Sequence, residues 1–267
     1  MNDSLRTFGL LDKNNPAFTV YSAPSFTDVL LKQTSITSPP KSACRKIEEV
    51  WKEEKASTPH IDNGKVVGVG YMKPTANHVE LGVNPVEFKN FLTSKFDRVP
   101  GYIVYALGSG ALTKVRFRND NYILFGHRGK KTGFSGGSIE TLPQGLMDVS
   151  DMKKRNSCKI AAEREYYEEA AGLPKIEETR YVGIVQNPWG NNISPTYLFN
   201  VECPNSFSLL KPSGNGVFKL KTFNKDETRS RELVNISNIE DYIAKNFKDI
   251  DWNSRARLKE ALEQQII

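Results

Sequence analysis

Arg164, Glu165, Glu168 and Glu169 lie within six consecutive residues, REYYEE, and are the residues best spaced for chemistry. On an α-helix at about 100° per residue the three glutamates stand at i, i+3 and i+4 and crowd one face. Ile160, Arg164, Tyr167 and Ala171 fall roughly 100 to 150° away by the same rotation, so one side of the helix is expected to pack while the other is an acidic cluster. Like charges at this spacing cost roughly a few tenths of a kcal/mol per pair unless a cation compensates them. Hard divalent cations take oxygen ligands, and Mg²⁺ keeps several waters while bridging carboxylates to substrate phosphates. A metal held so would neutralise a diphosphate, polarise phosphorus and acidify an attacking water. The plain alternative is a solvated acidic face beside an arginine, because Glu-rich helices are common.

The segment upstream bears on that choice. A Pro-x-Gly loop at Pro143, Gln144 and Gly145 follows a strand-like run and feeds this helix. With it the chain resembles the Nudix hydrolases, whose signature is Gly, five residues, Glu, seven residues, then Arg-Glu-U-x-Glu-Glu-x-Gly-U, U being a bulky aliphatic. Here Gly145 is followed by five residues and Asp151, and later comes Arg164-Glu165-Tyr166-Tyr167-Glu168-Glu169-Ala170-Ala171-Gly172-Leu173. Asp151 replaces the first Glu, twelve residues rather than seven precede Arg164, Tyr166 replaces the aliphatic, and one extra residue precedes Gly172. The first insertion reads as a longer loop, MKKRNSC, and the second falls at the helix C-terminus, where Gly172 can supply a left-handed cap. Neither moves the three glutamates relative to one another.

The resemblance implies an α/β fold, a Nudix-type α/β/α sandwich with a mixed β-sheet, carrying an N-terminal extension or small accessory unit. It implies pyrophosphohydrolase activity on a nucleoside diphosphate linked to another moiety. Mg²⁺, or Mn²⁺ in its place, would be held by Glu165, Glu168, Glu169 and the carbonyl of Gly145. Glu168 and Glu169 would be catalytic, Arg164 would orient a glutamate from behind, and Asp151 would support them. These enzymes commonly draw one more acid from a later loop; Glu232, just before the strand-like run LVNI, is the candidate, and Glu227 its rival. Arg128 follows a strand at a place where the family often has an arginine.

Substrate signals are softer. Glu140, two residues before Leu142-Pro143-Gln144-Gly145, is similar to the Glu-Leu-Pro-Ala-Gly run of ADP-ribose pyrophosphatases, and Pro188, fifteen residues past Leu173, resembles a proline associated with ADP-ribose hydrolysis. Pro188 is equally a turn former in QNPWGNN. Trp189 could stack a base, and Arg128, Lys130 and Lys131 could clamp phosphates. GHRGKKT lacks the glycine spacing of a phosphate-binding P-loop, and GSGAL at 108–112 lacks a dinucleotide fingerprint and reads as a turn.

The elements that must position these residues follow from periodicity. Residues 1–60, with SITSPPKSACRK, read as an irregular extension. Residues 61–98 read as a small accessory unit, with VVGVGYM a strand and NPVEFKNFLTSKF a helix begun at Asn84 and Pro85. Residues 99–267 read as the Nudix-type domain that the resemblance implies. In it GYIVYAL and NYILFGHR are neighbouring strands joined by a charged turn at Arg118, Asn119 and Asp120, and a helix covers about 156–171. YVGIVQ and TYLFNVEC are further strands, and two closing helices have Ser237 and Asn253 as N-caps.

Whole-chain composition narrows the setting. With 267 residues, 38% hydrophobic and 25% charged, the chain can bury a sizeable core. It has neither a run of about 18 apolar residues nor a signal-peptide start, so a cytoplasmic location and no membrane partner are expected. Cys44, Cys158 and Cys203 are odd in number and far apart, and only His60, His78 and His127 accompany them, which argues against disulfide, zinc or His-based metal sites. A net charge of +6 favours anionic partners: nucleotide substrates first, RNA 5′ ends second. A non-catalytic nucleotide sensor and a homodimer stay open.

Overall fold

A computed structural model describes residues 5–8, 18–21, 28–36, 38–95, 98–129, 136–170, 172–187, 191–206, 210–214, 216–220 and 228–267. Its strands are β1 (Leu5–Phe8), β2 (Phe18–Tyr21), β3 (Asp28–Gln33), β4 (Lys65–Pro74), β5 (His78–Glu87), β6 (Tyr105–Phe117), β7 (Asp120–Arg128), β8 (Ile139–Thr141), β9 (Gln144–Leu146), β10 (Glu178–Asn187), β11 (Asn192–Glu202), β12 (Leu210–Pro212), β13 (Val217–Leu220) and β14 (Thr228–Asn235). Its helices are α1 (Lys41–Ser57), α2 (Phe88–Ser94), α3 (Ser157–Glu169), α4 (Ile239–Asn246) and α5 (Trp252–Glu263). The fold is α/β with a mixed sheet, and the chain divides into two compact units.

The first unit comprises Met1–Ser109, Leu146–Ala161 and Gly183–Pro195. In it β3 runs parallel to β5, and β5 runs antiparallel to β4. Residues 1–60 are not uniformly irregular. Ala43, Ile47, Val50 and Trp51 recur at helical spacing, and they are the buried stripe of α1, a 17-residue helix that begins just after Pro40. Ala43 and Ile47 join Val66, Phe91, Val104 and Ala106 in the core of this unit. The helix expected from Asn84 starts later, at Phe88, because β5 continues through Asn84 and Pro85. Its pairing with β3 ends at Val83 while its pairing with β4 goes on, Pro85 standing opposite Val67. Proline is tolerated where a strand has lost one neighbour and needs no second donor.

The second unit comprises Gly110–Gly145, Ala162–Val182 and Thr196–Ile267. Strand β7 is its axis, paired antiparallel with β6, β14 and β8. Arg118 and Asn119 both take left-handed backbone, with φ 52° and 69°, as a two-residue type I′ hairpin turn requires. GSGAL is therefore not a turn: β6 runs unbroken from Tyr105 to Phe117. On one face of β7 and β14 lie Ile123, Phe125 and Val234, packed with Ile239, Ile250 and Leu258 of the closing segments. Burying a side chain of this size contributes on the order of 2 kcal/mol. The opposite face looks toward α3, and Leu124 and Leu233 on it are fully buried.

Both closing helices start one or two residues from the expected caps. Asn235 accepts from the Ser237 amide and begins a short 3-10 turn, after which α4 starts at Ile239. Asp251, not Asn253, caps α5, accepting from the amides of Asn253 and Ser254.

Candidate functional site

Helix α3 buries Cys158, Ala161, Ala162 and Tyr166. At about 100° per residue, Glu165 and Glu169 both fall inside that buried arc and Glu168 just outside it. Tyr167, expected on a packing face, is 58% exposed, and its neighbour Tyr166 takes the core position instead, edge-on to Phe199. The reason is rotational: Tyr167 lies about half a turn from Cys158 and Ala162. The glutamates thus straddle the boundary between core and solvent. Gly172 at φ 92° follows the helix as the left-handed residue the sequence suggested.

Two sets of contacts organise the acids. Arg164 Nη1 lies 2.8 Å from Glu165 Oε1 and 3.3 Å from both oxygens of Glu168, so one guanidinium holds two carboxylates together. The Pro143–Gly145 loop closes on the helix from the other side. The Gln144 amide donates to Glu169 Oε2 at 2.9 Å, and the Glu165 carboxylate occupies the space a Cβ on Gly145 would need. A side chain at residue 145 would push the Glu165 carboxylate out of that position. Glu140, 1% exposed, accepts from Arg128 Nη1 at 3.1 Å and from Gln144 Nε2. Behind α3, Arg231 Nη1 donates to the Glu169 carbonyl at 2.8 Å.

Burial dominates the electrostatics. The Glu169 carboxyl is held well above the usual carboxylate range by desolvation, then by the nearby charge of Glu140, against the lowering effect of the Gln144 amide. Glu140 is pushed up to about 7, again by desolvation first, although Arg128 opposes it. Two buried carboxyls raised chiefly by desolvation, Glu169 also by Glu140 and Glu140 also by Asp251, are a place where a cation is welcome. Glu165, Glu168, Glu169 and the Gly145 carbonyl are all hard oxygen donors, the set Mg²⁺ or Mn²⁺ prefers. Among the described residues no three acidic, His or Cys side chains converge on one point. Mg²⁺ does not need them to, being held commonly by one or two carboxylates with water and substrate phosphate completing the shell.

Several expected site residues are elsewhere. Glu232 lies within β14 rather than on a loop, and strand alternation turns it to the face opposite Arg231. Its carboxylate meets His127 Nε2 at 2.9 Å and the Tyr242 hydroxyl of α4, so it is not brought to the acids of α3. Asp151 belongs to the first unit, where it pairs with Lys154 Nζ at 2.6 Å. Arg128, by contrast, is brought to the site, its guanidinium paired with Glu140. Lys130, Lys131, Pro188, Trp189 and Glu227 lie outside the described residues.

Arg231 and Arg257 are in contact with the site although their sequence context had not singled them out, and Gln144, named only as the middle of the Pro-x-Gly loop, contributes its side chain. Arg257 Nη1 donates to Gln144 Oε1 at 2.9 Å. A signal existed for it: Ser254, Arg257, Leu258 and Ala261 are spaced i, i+3, i+4, i+7, and all are buried. An arginine in that stripe must meet acids inside.

No protein-family model matches the chain, and no curated protein matches it. Solved structures do. The NUDIX domain of Shewanella oneidensis NrtR complexed with ADP ribose is 10% identical, with 60% of this chain and 88% of that chain covered and a TM-score of 0.42. A NUDIX hydrolase from Alicyclobacillus acidocaldarius is 14% identical, with 58% and 90% covered and a TM-score of 0.41. A MutT NUDIX hydrolase from Burkholderia pseudomallei is 20% identical, with 58% and 96% covered and a TM-score of 0.37. The solved structures to which this chain is similar thus include Nudix hydrolases.

Proposed function

We propose that the chain is a Nudix-type pyrophosphohydrolase that uses a divalent cation, Mg²⁺ or Mn²⁺, to hydrolyse a nucleoside diphosphate linked to a second moiety, with ADP-ribose or an ADP-sugar as the leading substrate class. The observation that carries this reading is the closure of the Pro143–Gly145 loop on α3. It joins the Gln144 amide to Glu169 and seats the Glu165 carboxylate in the notch left by Gly145. A solvated acidic face would have no use for a loop fitted to its carboxylates.

When bound, the cation would supply charge neutralisation for the diphosphate and acidify a water near it. Glu165, Glu168, Glu169 and the Gly145 carbonyl are the residues that would hold it. Arg164 keeps Glu165 and Glu168 side by side, at 2.8 and 3.3 Å from its Nη1, which lowers the cost of bringing two like charges together. Glu169, lifted above the ordinary carboxylate range by burial, is a stronger base than an ordinary carboxylate and the candidate to take a proton from the attacking water. Glu232 has no part in this scheme, its carboxylate being committed to His127 and Tyr242. The buried Glu140 of the Glu-x-Leu-Pro-x-Gly run is what favours ADP-ribose among diphosphates.

The test is incubation of the purified protein with Mg²⁺ and ADP-ribose, ADP-sugars, dinucleoside polyphosphates, NADH and capped RNA, with products identified by mass. The expected products are a nucleoside monophosphate and a phosphorylated second moiety, and Glu169→Gln or Glu168→Gln should lower turnover by about 10²-fold or more. A variant that kept full Mg²⁺-dependent activity would sink the site assignment. Cleavage of capped RNA alone would replace the substrate, and tight nucleotide binding without turnover would make the chain a sensor.

A further inference from the structure

Gln144 makes three directed contacts, and the one that reaches outside the acidic cluster goes to α5. Its backbone amide donates to Glu169 Oε2 at 2.9 Å, its side-chain Nε2 donates to Glu140 Oε2, and its Oε1 accepts from Arg257 Nη1 at 2.9 Å. An amide side chain has one accepting and one donating end, whereas a guanidinium can only donate. Arg257 therefore fixes which end of the Gln144 amide faces Glu140: the donating end. Turning the amide over would set two donors against each other at Arg257 and, with Glu140 ionised, two acceptors against each other there.

Arg257 is itself rigidly seated. It is 1% exposed, and its guanidinium fills the space beside Gly110 of β6, where any Cβ would collide with it. A buried guanidinium carries a large desolvation cost unless nearby acids and hydrogen bonds offset it, and at this point the nearby charges are Glu140, Glu169 and Asp251.

We propose that Arg257 and Gln144 form a positioning pair, through which α5 sets the Pro143–Gly145 loop and the carboxylates of Glu140 and Glu169 for cation binding. Neither residue touches substrate; the pair acts through the loop. The inference rests on the pyrophosphohydrolase reading for its purpose but not for its geometry. Outer residues that orient the groups around a metal change affinity or rate by about 10- to 100-fold when removed, and that is the effect expected here. Because the two residues act as one unit, their substitutions do not add.

The experiment uses Gln144→Met, Arg257→Met, the double variant, and Gly110→Ala, which presses on the guanidinium while leaving both partners in sequence. Three quantities are read on folded protein: Mn²⁺ affinity from the EPR signal of free Mn²⁺, kcat and KM on ADP-ribose, and, without metal, hydrogen exchange at the Gln144 backbone amide by NMR. Expected are Mn²⁺ binding weakened about tenfold or more, a fall in kcat larger than the change in KM, a double variant no worse than either single, and exchange at Gln144 at least tenfold faster in Arg257→Met. Gln144→Met keeps the test open if the arginine variant does not fold. Wild-type Mn²⁺ affinity in folded Gln144→Met overturns the proposal, as does unchanged Gln144 exchange in folded Arg257→Met. Faster exchange in a protein whose wild type neither binds Mn²⁺ nor hydrolyses a diphosphate upholds the pair and overturns the proposed function.

Discussion

Glu140 carries the site's pH behaviour. Its carboxyl is pushed up to about 7 from an ordinary 4.5, chiefly because it is desolvated. A carboxyl raised on folding binds its proton more tightly in the native state, so its contribution to stability is present below pH 4.5 and is lost as pH rises through about 7. Replacing it by glutamine removes the titration and keeps the shape. Glu140→Gln is therefore expected to flatten the fall in melting temperature between about pH 5 and 7, read by calorimetry on metal-free protein; an unchanged slope would remove Glu140 as its source. Which residues would meet was only half legible. REYYEE fixes the mutual spacing of Glu165, Glu168 and Glu169, yet periodicity alone did not reveal that Tyr166 rather than Tyr167 faces the core. The placement of Glu232 was illegible for a similar reason, since Arg231 and Glu232 are adjacent on a strand and only pairing with β7 decides which faces α3.

At the scale of elements, strands with strong apolar runs and helices with clear stripes were readable, and their ends were not. Pro85 suggested a helix start because it ordinarily marks one, but the loss of β3 as a neighbour let a strand keep it. Gly108 and Gly110 suggested a turn, whereas Gly110 leaves room for a guanidinium from a helix far along the chain. The start of α5 is a case where the cap does more than end a helix. Asp251 accepts from the amides of Asn253 at 2.9 Å and Ser254 at 3.3 Å, and the Ser254 hydroxyl in turn accepts from the Thr141 amide at 2.7 Å. Asp251→Ala should cost about 1 to 2 kcal/mol, seen as a lower urea midpoint at constant slope. Asp251→Asn, which keeps an acceptor, should recover most of that loss.

For the whole molecule, the composition correctly suggested a chain able to bury a large core, and no described helix is long and apolar enough to cross a membrane. The division into two compact units was not legible, because both draw on separated stretches of sequence. That division shapes the last prediction, since unfolding need not be a single two-state transition. A ligand that binds only the native state at a hundredfold excess over its Kd stabilises by about 2.7 kcal/mol. For a unit of intermediate size, between domains of about 60–100 and about 150–250 residues, this corresponds to a rise of roughly 10 °C in melting temperature. Mg²⁺ is expected to raise the transition that reports the Ala162–Val182 unit by this order at pH 8, and less at pH 5, where Glu140 and Glu169 hold protons the cation must displace. Added salt is the control that decides the cause. A chain of net charge +6 gains from any electrolyte that screens its self-repulsion. NaCl at matched ionic strength should therefore reproduce a nonspecific effect but not a site-bound one. The Glu165→Gln/Glu169→Gln double variant should lose the Mg²⁺ increment and keep the NaCl response; an increment equal to that of the wild type would place the cation somewhere other than α3.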